Sequence, residues 1–122
     1  MPFIISRVNI PLSHEQEMAL KAGLGQAISL VPGKSEASLM LGFEDAYHLY
    51  LNGDNAQPMA YITVAVFSNR CHRGYEQLSM AICQIFHRVL EIDPARIFIN
   101  YEDIPAWSVA GRAFIDKRSS AE

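Results

Sequence analysis

Proline at position 2 is the first residue of this chain whose type and place suggest chemistry. Initiator methionine is usually removed when the following side chain is small, and its removal would leave Pro2 with a free secondary amine. A proline inside a chain lacks this group, because its nitrogen belongs to a tertiary amide. A free terminal amine titrates near about 8, and burial or a neighbouring cation lowers that pKa. Pro2 is therefore a candidate general base for proton abstraction near neutral pH.

Two other polar residues could act with this amine. Lys34 follows Pro32 and Gly33 where the chain enters a strand, and Asn100 interrupts an otherwise apolar strand. The charge of Lys34 would lower the pKa of the Pro2 amine if the two groups lie close together. Each residue also has a simpler explanation, because lysines after helices are commonly solvated and asparagine readily bonds to nearby backbone. Their role depends on whether the fold brings them to Pro2.

The segments that would position these residues follow the order strand, helix, strand, twice over, with the second half repeating the first at an offset of roughly 60 residues. They are a strand at 3–10, a helix at about 13–31, a strand at about 38–43, a strand at 60–67, a helix at about 70–91 and a strand at 96–101. We predict one domain at 1–115 with pseudo-repeats at about 2–52 and 58–104. The charged and small residues of 116–122 indicate a disordered tail.

Local signals support the two helices. Ser13 and Gln16 form a capping box at the start of the first helix, and Pro32 with Gly33 ends it. The second helix has apolar residues at spacings of three and four, which is typical of an amphipathic helix. These residues are Tyr75, Leu78, Ile82, Ile85, Phe86 and Val89. Between the two halves, a short strand is predicted before a turn at Asn52 and Gly53.

The repeated unit predicts an α+β fold with a four-stranded mixed sheet. Right-handed crossovers between parallel strands would place both helices on one face of that sheet. Residues 60–67 are apolar at nearly every position, as is typical of a strand that is covered on both sides. No predicted helix remains to cover the second face. We therefore predict a homo-oligomer in which these faces pack together and exposed strand edges pair between subunits.

Composition excludes several functions. The 122 residues carry a formal net charge of −3, without the basic patch that nucleic-acid binding needs. No apolar run approaches the roughly 18 residues of a membrane span, and the first residues lack the features of a signal peptide. We predict a cytoplasmic protein that binds neither nucleic acid nor membrane; secretion without a leader cannot be read from the sequence.

The cysteines and histidines show no recognised pattern. Cys71 and Cys83 fall at the start and in the middle of the second predicted helix, about 18 Å apart at 1.5 Å per residue. This distance is too long for a disulfide, so both are predicted to be free thiols. The four histidines have no metal-ligand spacing and no carboxylate or cysteine partner in a known motif, so no metal is predicted.

Four stretches of the chain together resemble the tautomerase superfamily, and within it the macrophage migration inhibitory factor branch. They are Met1-Pro2-Phe3-Ile4, Pro32-Gly33-Lys34, the stretch from Gln57-Pro58 to Val66, and the stretch from Asp93-Pro94 to Asn100-Tyr101-Glu102-Asp103. The resemblance extends over residues 1 to about 115. It implies a homotrimer of ββαβ-type repeats with a pocket at each subunit interface, and catalysis without a cofactor.

The resemblance also implies roles for individual residues. Pro2 matches the general base, Lys34 matches the lysine that meets the substrate's carboxylate or carbonyl, and Asn100 matches an amide of the pocket. Phe67 stands where the backbone contributes a hydrogen bond, and Phe98 replaces a tyrosine that mammalian members usually have. Phe3, Phe67 and Phe98 indicate an apolar pocket suited to an aromatic ring, although aromatic residues at such spacing also commonly fill a core.

The expected activity is a keto–enol tautomerisation, with a small enolisable 2-keto acid such as phenylpyruvate as substrate. An alternative is a cytokine-like signalling or interaction protein of the same fold, with a protein receptor as partner and vestigial or secondary chemistry in the pocket. A third hypothesis is another reaction of the superfamily, such as hydroxymuconate isomerisation or dehalogenation. It is less favoured, because related enzymes place extra arginines near the proline and only Arg7 and Arg112 are available here.

Overall fold

The structure is a computed structural model that describes residues 1–116. The predicted tail at 116–122 lies outside these residues apart from Asp116. The elements are β1 (Pro2–Val8), α1 (His14–Ala27), β2 (Met40–Glu44), β3 (Ala60–Phe67), α2 (Tyr75–Leu90), β4 (Ile97–Ile104), β5 (Ala106–Val109) and β6 (Arg112–Ile115). Short 3₁₀ turns lie at Ile28–Leu30, Glu36–Ser38 and Pro94–Arg96.

The four main strands form one mixed sheet in the order β2-β1-β3-β4. Strand β1 runs parallel to β2, β3 runs parallel to β4, and the central pair β1 and β3 is antiparallel. Each half of the chain is thus a strand, helix, strand unit, and the two units meet along β1 and β3. The predicted four-stranded mixed sheet and its two helices are confirmed.

Helices α1 and α2 pack against each other and against one face of the sheet. The apolar faces of the helices and alternate residues of β1 and β3 form the core, because successive side chains of a strand point to opposite faces. Its largest fully buried side chains include Ile4, Leu20, Leu24, Ile62, Leu78, Ile82 and Phe86. No helix within residues 1–116 has the length and apolar character needed to cross a bilayer.

The other face of the sheet, which we call the open face, carries the remaining side chains of the strands. The open face is more polar than the apolar sequence of 60–67 predicts. On the adjacent strands β1 and β2, Arg7 and Glu44 form an ion pair at 3.0 Å. A cavity of about 450 Å³ lies on this face. Its lining consists of Phe3, Ile5, Arg7, Tyr47, Tyr61, Thr63, Asn100 and Glu102.

The capping box of α1 is confirmed. The Ser13 hydroxyl accepts a hydrogen bond from the Gln16 backbone N–H at 3.0 Å, and the Gln16 side chain accepts one from the Ser13 N–H at 2.9 Å. Helix α2 is amphipathic as predicted, but it begins at Tyr75 instead of about residue 70. The left-handed backbone of His72 and Gly74, with φ of 58° and 82°, forms a turn there. Cys71 therefore lies in the loop before α2.

Two further differences concern short elements. The strand predicted before Asn52 is wrong: only an isolated bridge joins Leu51 to Asp54 around the turn. The backbone N–H of Tyr47 instead donates to the carbonyl of Val8 at 2.9 Å, which ties this segment to the end of β1. The hairpin of β5 and β6 was absent from the sequence prediction. It turns at Ala110 and Gly111, both with positive φ.

Candidate active site at the amino terminus

Pro2 is buried at the start of β1, and its register partner on β3 is Val66. The next residue on β3, Phe67, donates its backbone N–H to the carbonyl oxygen of Met1 at 3.2 Å. That carbonyl carbon is bonded to the nitrogen of Pro2. The nitrogen of Pro2 therefore lies beside the backbone of Phe67, at one end of the sheet.

Lys34 reaches the same end of the sheet from the segment after α1. Gly33 has a φ of 79°, and the backbone N–H of Lys34 then donates to the carbonyl of Val31 at 3.1 Å. The Lys34 ammonium donates to the carbonyl oxygen of Phe67 at 2.9 Å. The backbone of Phe67 thus contacts both Met1 and Lys34.

The electrostatics of this end favour a neutral amine. Burial lowers the pKa of the terminal amine of Met1 below its usual value, and the charge of Lys34 lowers it further. Burial also lowers the pKa of the Lys34 ammonium. Burial disfavours the charged form of both groups because a buried charge loses hydration, and the nearby charge of Lys34 further disfavours the charged Met1 amine. A chain that starts at Pro2 would have its amine at a residue that is itself buried.

The structure does not bring Phe98 and Asn100 to Pro2 within one chain. On β3 their register partners are Tyr61 and Thr63, whereas Pro2 pairs with Val66. At about 3.3 Å per residue, Asn100 is displaced about 10 Å along the sheet from Pro2, and Phe98 about 17 Å. Both side chains are exposed on the open face, while the side chain of Pro2 points with Ile4 towards the helices.

The three predicted aromatic residues are separated in the same way: the Phe67 backbone lies at the Pro2 end, whereas Phe3 and Phe98 line cavities elsewhere. Phe3 lines the cavity of the open face together with Asn100. Phe98, 53% exposed, lines a smaller apolar groove of about 150 Å³. The other lining residues of that groove are Leu49, Tyr50, Leu51, Met59, Ala60, Tyr61 and Arg96. Neither lining includes Pro2, Lys34 or Phe67. One chain therefore has Pro2, Lys34 and the Phe67 backbone together, and Phe3, Phe98 and Asn100 elsewhere.

Sequence reasoning, which looked for histidines only in recognised motifs, missed a cluster around Asp103 that includes His72. The carboxylate of Asp103 accepts a hydrogen bond from the Tyr75 hydroxyl at 2.6 Å and lies 2.7 Å from Nδ1 of His72. The Tyr75 ring stacks on Tyr101 with centroids 4.1 Å apart. Burial, followed by the contact with Asp103, raises the pKa of the Tyr75 hydroxyl. No signal in the sequence indicates the pairing, because Asp103 comes 31 positions after His72.

The position of this cluster connects it to the candidate site. Asp103 lies at the end of β4, and its neighbour Ile104 accepts the backbone N–H of Ser68 at 3.1 Å. Through its contacts with His72 and Tyr75, Asp103 connects the loop that follows Phe67 and the start of α2 to the central sheet. A cavity of about 220 Å³ lies beside it, lined by Ser68, Asn69, Arg70, Asp103, Ile104, Pro105 and Asp116.

The family model of macrophage migration inhibitory factor (MIF) matches residues 1–114. No curated protein sequence gives a significant match. Among solved structures, MIF2 of Leishmania major has a TM-score of 0.85 and 24% identity, with 93% of this chain and 97% of that chain covered. The MIF homologue of Prochlorococcus marinus has a TM-score of 0.77 and 25% identity, with 92% and 98% covered.

A third structure is that of Pt0534 after inactivation by 2-oxo-3-pentynoate. It has a TM-score of 0.80 and 16% identity, with 96% of this chain and 98% of that chain covered. At this identity the likeness concerns the fold alone. All three structures share the fold of this chain over nearly its whole length.

Proposed function

Because this chain belongs to the macrophage migration inhibitory factor family, we propose that it is a cofactor-free keto–enol tautomerase with Pro2 as the general base. The observation that carries this proposal is the double contact of the Phe67 backbone. Its N–H bonds to the carbonyl attached to the Pro2 nitrogen, and its carbonyl bonds to the Lys34 ammonium. A base, a cation and a backbone donor thus lie together at one end of the sheet.

Removal of Met1 would turn this arrangement into a reactive site. It would free the Pro2 nitrogen and also release the Phe67 N–H from the carbonyl of Met1. A substrate oxygen could then accept that N–H beside the amine, where the Met1 carbonyl lies in the longer chain. Burial and the charge of Lys34 lower the pKa of the Met1 amine, and we expect the same two causes to act on the Pro2 amine and to favour the neutral form that can take a proton.

The proposed reaction is a 1,3-proton shift without net oxidation. The Pro2 nitrogen removes a proton from the carbon next to the keto group, and the carbonyl oxygen becomes an enolate. The same proton is then delivered to that oxygen to give the enol, and the reverse reaction uses the same groups. The Lys34 ammonium and the Phe67 N–H would stabilise the negative charge on oxygen as it develops.

The substrate class that we propose is an arylpyruvate. Lys34 offers a charge for the carboxylate, and Phe3, Phe67 and Phe98 offer apolar surface for a ring. Pt0534, a protein of the same fold, is inactivated by 2-oxo-3-pentynoate, an aliphatic 2-keto acid, which supports the 2-keto acid part of this substrate but not its ring. We expect this reagent to label the Pro2 amine of the present chain, detectable as one added inhibitor mass on the N-terminal peptide.

We also propose that the protein is a homotrimer with its pockets between subunits, in keeping with a family whose members usually form trimers. The separation of Pro2 from Phe98 and Asn100 within one chain supports this assembly, since a neighbouring copy could supply the residues that one chain cannot bring together. The open face, with its exposed aromatic residues, would be covered by such contacts. A stable monomer in analytical ultracentrifugation at micromolar concentration would contradict this part of the proposal.

The test of the activity is phenylpyruvate turnover by untagged protein whose N-terminus is verified as Pro2 by mass spectrometry. We expect Pro2→Gly to lose roughly 100-fold to 10,000-fold in kcat/KM, the usual contribution of a positioned base. Wild-type chain that retains Met1 is the matched control, because its proline nitrogen is an amide and its fold is unchanged. If the mature wild type is as inert as both controls, the proposal is wrong, and the alternative of a signalling or interaction protein is favoured.

A further inference from the structure

The outer surface of α2 has three side chains that can bind a soft metal ion. Met80, Cys83 and His87 line one shallow cavity of about 370 Å³, together with Ser79, Gln84 and Pro94. This cavity lies away from Pro2, and its lining shares no residue with the candidate active site. Met80 is 65% exposed and Cys83 is half-buried, so solvent and ions have access to both sulfur atoms.

The spacing of these residues suits a single ion. Positions 80, 83 and 87 are separated by three and then four residues, so they share one face of the helix. Side chains at such spacings have Cβ atoms about 5–6 Å apart. One ion with bonds of about 2.0–2.3 Å to nitrogen and sulfur can bridge each of these neighbouring pairs. Met80 and His87 lie about 10 Å apart along the helix axis, with Cys83 between them, so the two side chains would reach the ion from opposite sides. Cys83 and His87, four residues apart, form the central chelating pair.

The orientation of His87 is set by a backbone contact. Its Nδ1 lies 3.1 Å from the carbonyl oxygen of Ile92. A carbonyl can only accept a hydrogen bond, so Nδ1 of the neutral ring carries the proton and Nε2 keeps a free lone pair. Histidines that bind metals commonly donate their other ring N–H in this way, which holds the ring and its tautomer in place.

The types of ligand decide which ion fits. A thiolate, a thioether and an imidazole are soft or intermediate ligands, and no carboxylate lines the cavity. Thiolate and imidazole ligands bind both Cu(I) and Zn²⁺, but methionine is not among the usual zinc ligands, so the thioether favours Cu(I); Mg²⁺, Ca²⁺ and Mn²⁺ prefer oxygen. Within residues 1–116, no group of three or more His, Cys, Asp and Glu could hold a metal ion. The present cluster differs from such groups because its third ligand is a methionine.

We propose that Cys83, His87 and Met80 bind one Cu(I) ion per chain on the outer surface of α2. The ion would bond to the sulfur of Cys83, the Nε2 of His87 and the sulfur of Met80. Binding releases the thiol proton of Cys83 to solvent, because the thiolate is the metal ligand. No electron transfer is involved, since the ion enters and remains as Cu(I).

Cys71 provides a matched control in the same chain. It is the other free cysteine and is exposed in the loop before α2. Its neighbour His72 has Nδ1 2.7 Å from Asp103, and no methionine follows at helical spacing. A general affinity of thiols for copper would act at both cysteines, whereas the proposed site requires only Cys83.

The experiment is an anaerobic titration of the full, reduced chain with Cu(I) in competition with the coloured chelator bicinchoninate. We expect one Cu(I) per chain and no loss of binding in Cys71→Ser. Cys83→Ser should lower the affinity by roughly 100-fold or more, since a direct ligand contributes more than the 10–100-fold of its supporting groups. His87→Gln and Met80→Leu also remove direct ligands, from exposed positions, and should each lower the affinity by roughly 100-fold or more.

Several results would overturn the proposal. These are the absence of competition with the chelator, equal affinity in wild type and Cys83→Ser, or loss of binding in Cys71→Ser. Circular dichroism verifies that each variant is folded. If Cys83→Ser fails to fold, the two exposed variants decide the outcome: retention of wild-type affinity by both would show that the cavity is not the site. Tighter binding of Zn²⁺ than of Cu(I) would contradict the choice of ion.

Discussion

The two ends of the central sheet differ in how completely one chain builds them. At the Pro2 end, the Lys34 ammonium, the Phe67 backbone and the carbonyl of Met1 are joined by hydrogen bonds of 2.9 and 3.2 Å. At the other end, Phe98 is 53% exposed and the neighbouring Tyr50 is 68% exposed. The comparison teaches that one chain holds together the groups proposed to react, through hydrogen bonds between distant parts of the sequence, while it leaves the aromatic side chains of the other end exposed.

The largest effect that tests this comparison should come from Lys34. Lys34→Met removes the charge but keeps the length of the side chain, and we expect kcat/KM for phenylpyruvate to fall roughly 100-fold, as when one stabilising donor is lost. The rate should rise with pH as the Pro2 amine loses its proton. The charge of Lys34 lowers the pKa of the Met1 amine, and we expect it to act on the Pro2 amine in the same way, so its removal should raise that pKa and move the profile to higher pH.

Lys21→Met is the control for this variant, because it removes the same charge from an exposed position on α1. We expect it to keep the wild-type rate and pH profile. An unchanged profile in Lys34→Met would show that Lys34 has no electrostatic contact with the base. The shift should be partial, because burial is the larger cause of the lowered pKa at the Met1 amine, and Pro2, itself buried, would keep that burial in the variant.

A second effect concerns the stability of the Pro2 end. Asp103→Asn weakens the contacts of this carboxylate with Tyr75 and His72, and we expect the free energy of unfolding to fall by about 1–2 kcal/mol. Tyr75→Phe removes only the hydroxyl and should cost about 1 kcal/mol. Urea denaturation measures both values. His72→Ala should cost less than either, because its side chain is 64% exposed.

The exposed end of the sheet can be tested by mixing chains. Asn100→Ala should lower kcat/KM roughly 10-fold, which corresponds to the loss of one hydrogen bond. If a neighbouring copy supplies this residue, Pro2→Gly and Phe98→Ala/Asn100→Ala chains should regain activity when they are co-expressed. The activity of the co-expressed mixture is compared with the sum of the activities of the two variants prepared separately. Equality between the mixture and that sum would show that the two ends do not meet between chains.

The smallest effect should come from Ser6, in the middle of β1 between the two ends. Its hydroxyl is fully buried and has no hydrogen-bond partner among residues 1–116. Burying a polar group without a partner costs free energy, so Ser6→Ala should raise the free energy of unfolding by about 1 kcal/mol. Thermal and urea unfolding measure this change, and phenylpyruvate turnover should be unaffected. A destabilised Ser6→Ala would indicate that the hydroxyl is satisfied within the assembly.

Much of the fold could be predicted, because the hydrophobic patterns of its main helix and strands depend on neighbouring residues and extend over many positions. Helix α2 repeats apolar residues over 16 positions, and β3 is an apolar run of eight, so both periodicities are clear. The start of α2 was misplaced because His72 adopts a left-handed backbone that nothing in its residue type demands. Strands β5 and β6 have only four residues each and are largely exposed, so they lack a readable burial pattern.

The candidate site was predictable by residue type but not by arrangement. Pro2, Lys34 and Phe67 were indicated by an unusual amine and by resemblance to a family, and the structure places all three together. Phe98 and Asn100 were indicated by the same resemblance, yet they lie about 17 Å and about 10 Å from Pro2 along the sheet. His72 and Asp103 were not paired in advance, because their contact depends on how the loop before α2 meets the end of β4.

The sequence by itself determined the chemical groups and the periodicities of this protein: a proline able to become an amine base, a lysine, and strands and helices in a repeated order. These depend on residue type and on neighbours a few positions away. Only the tertiary structure decided which groups meet, since strand register pairs Pro2 with Val66 but Asn100 with Thr63. That register is set by packing among residues far apart in the chain, and it brings the Lys34 ammonium to the backbone of Phe67 while leaving Phe98 exposed.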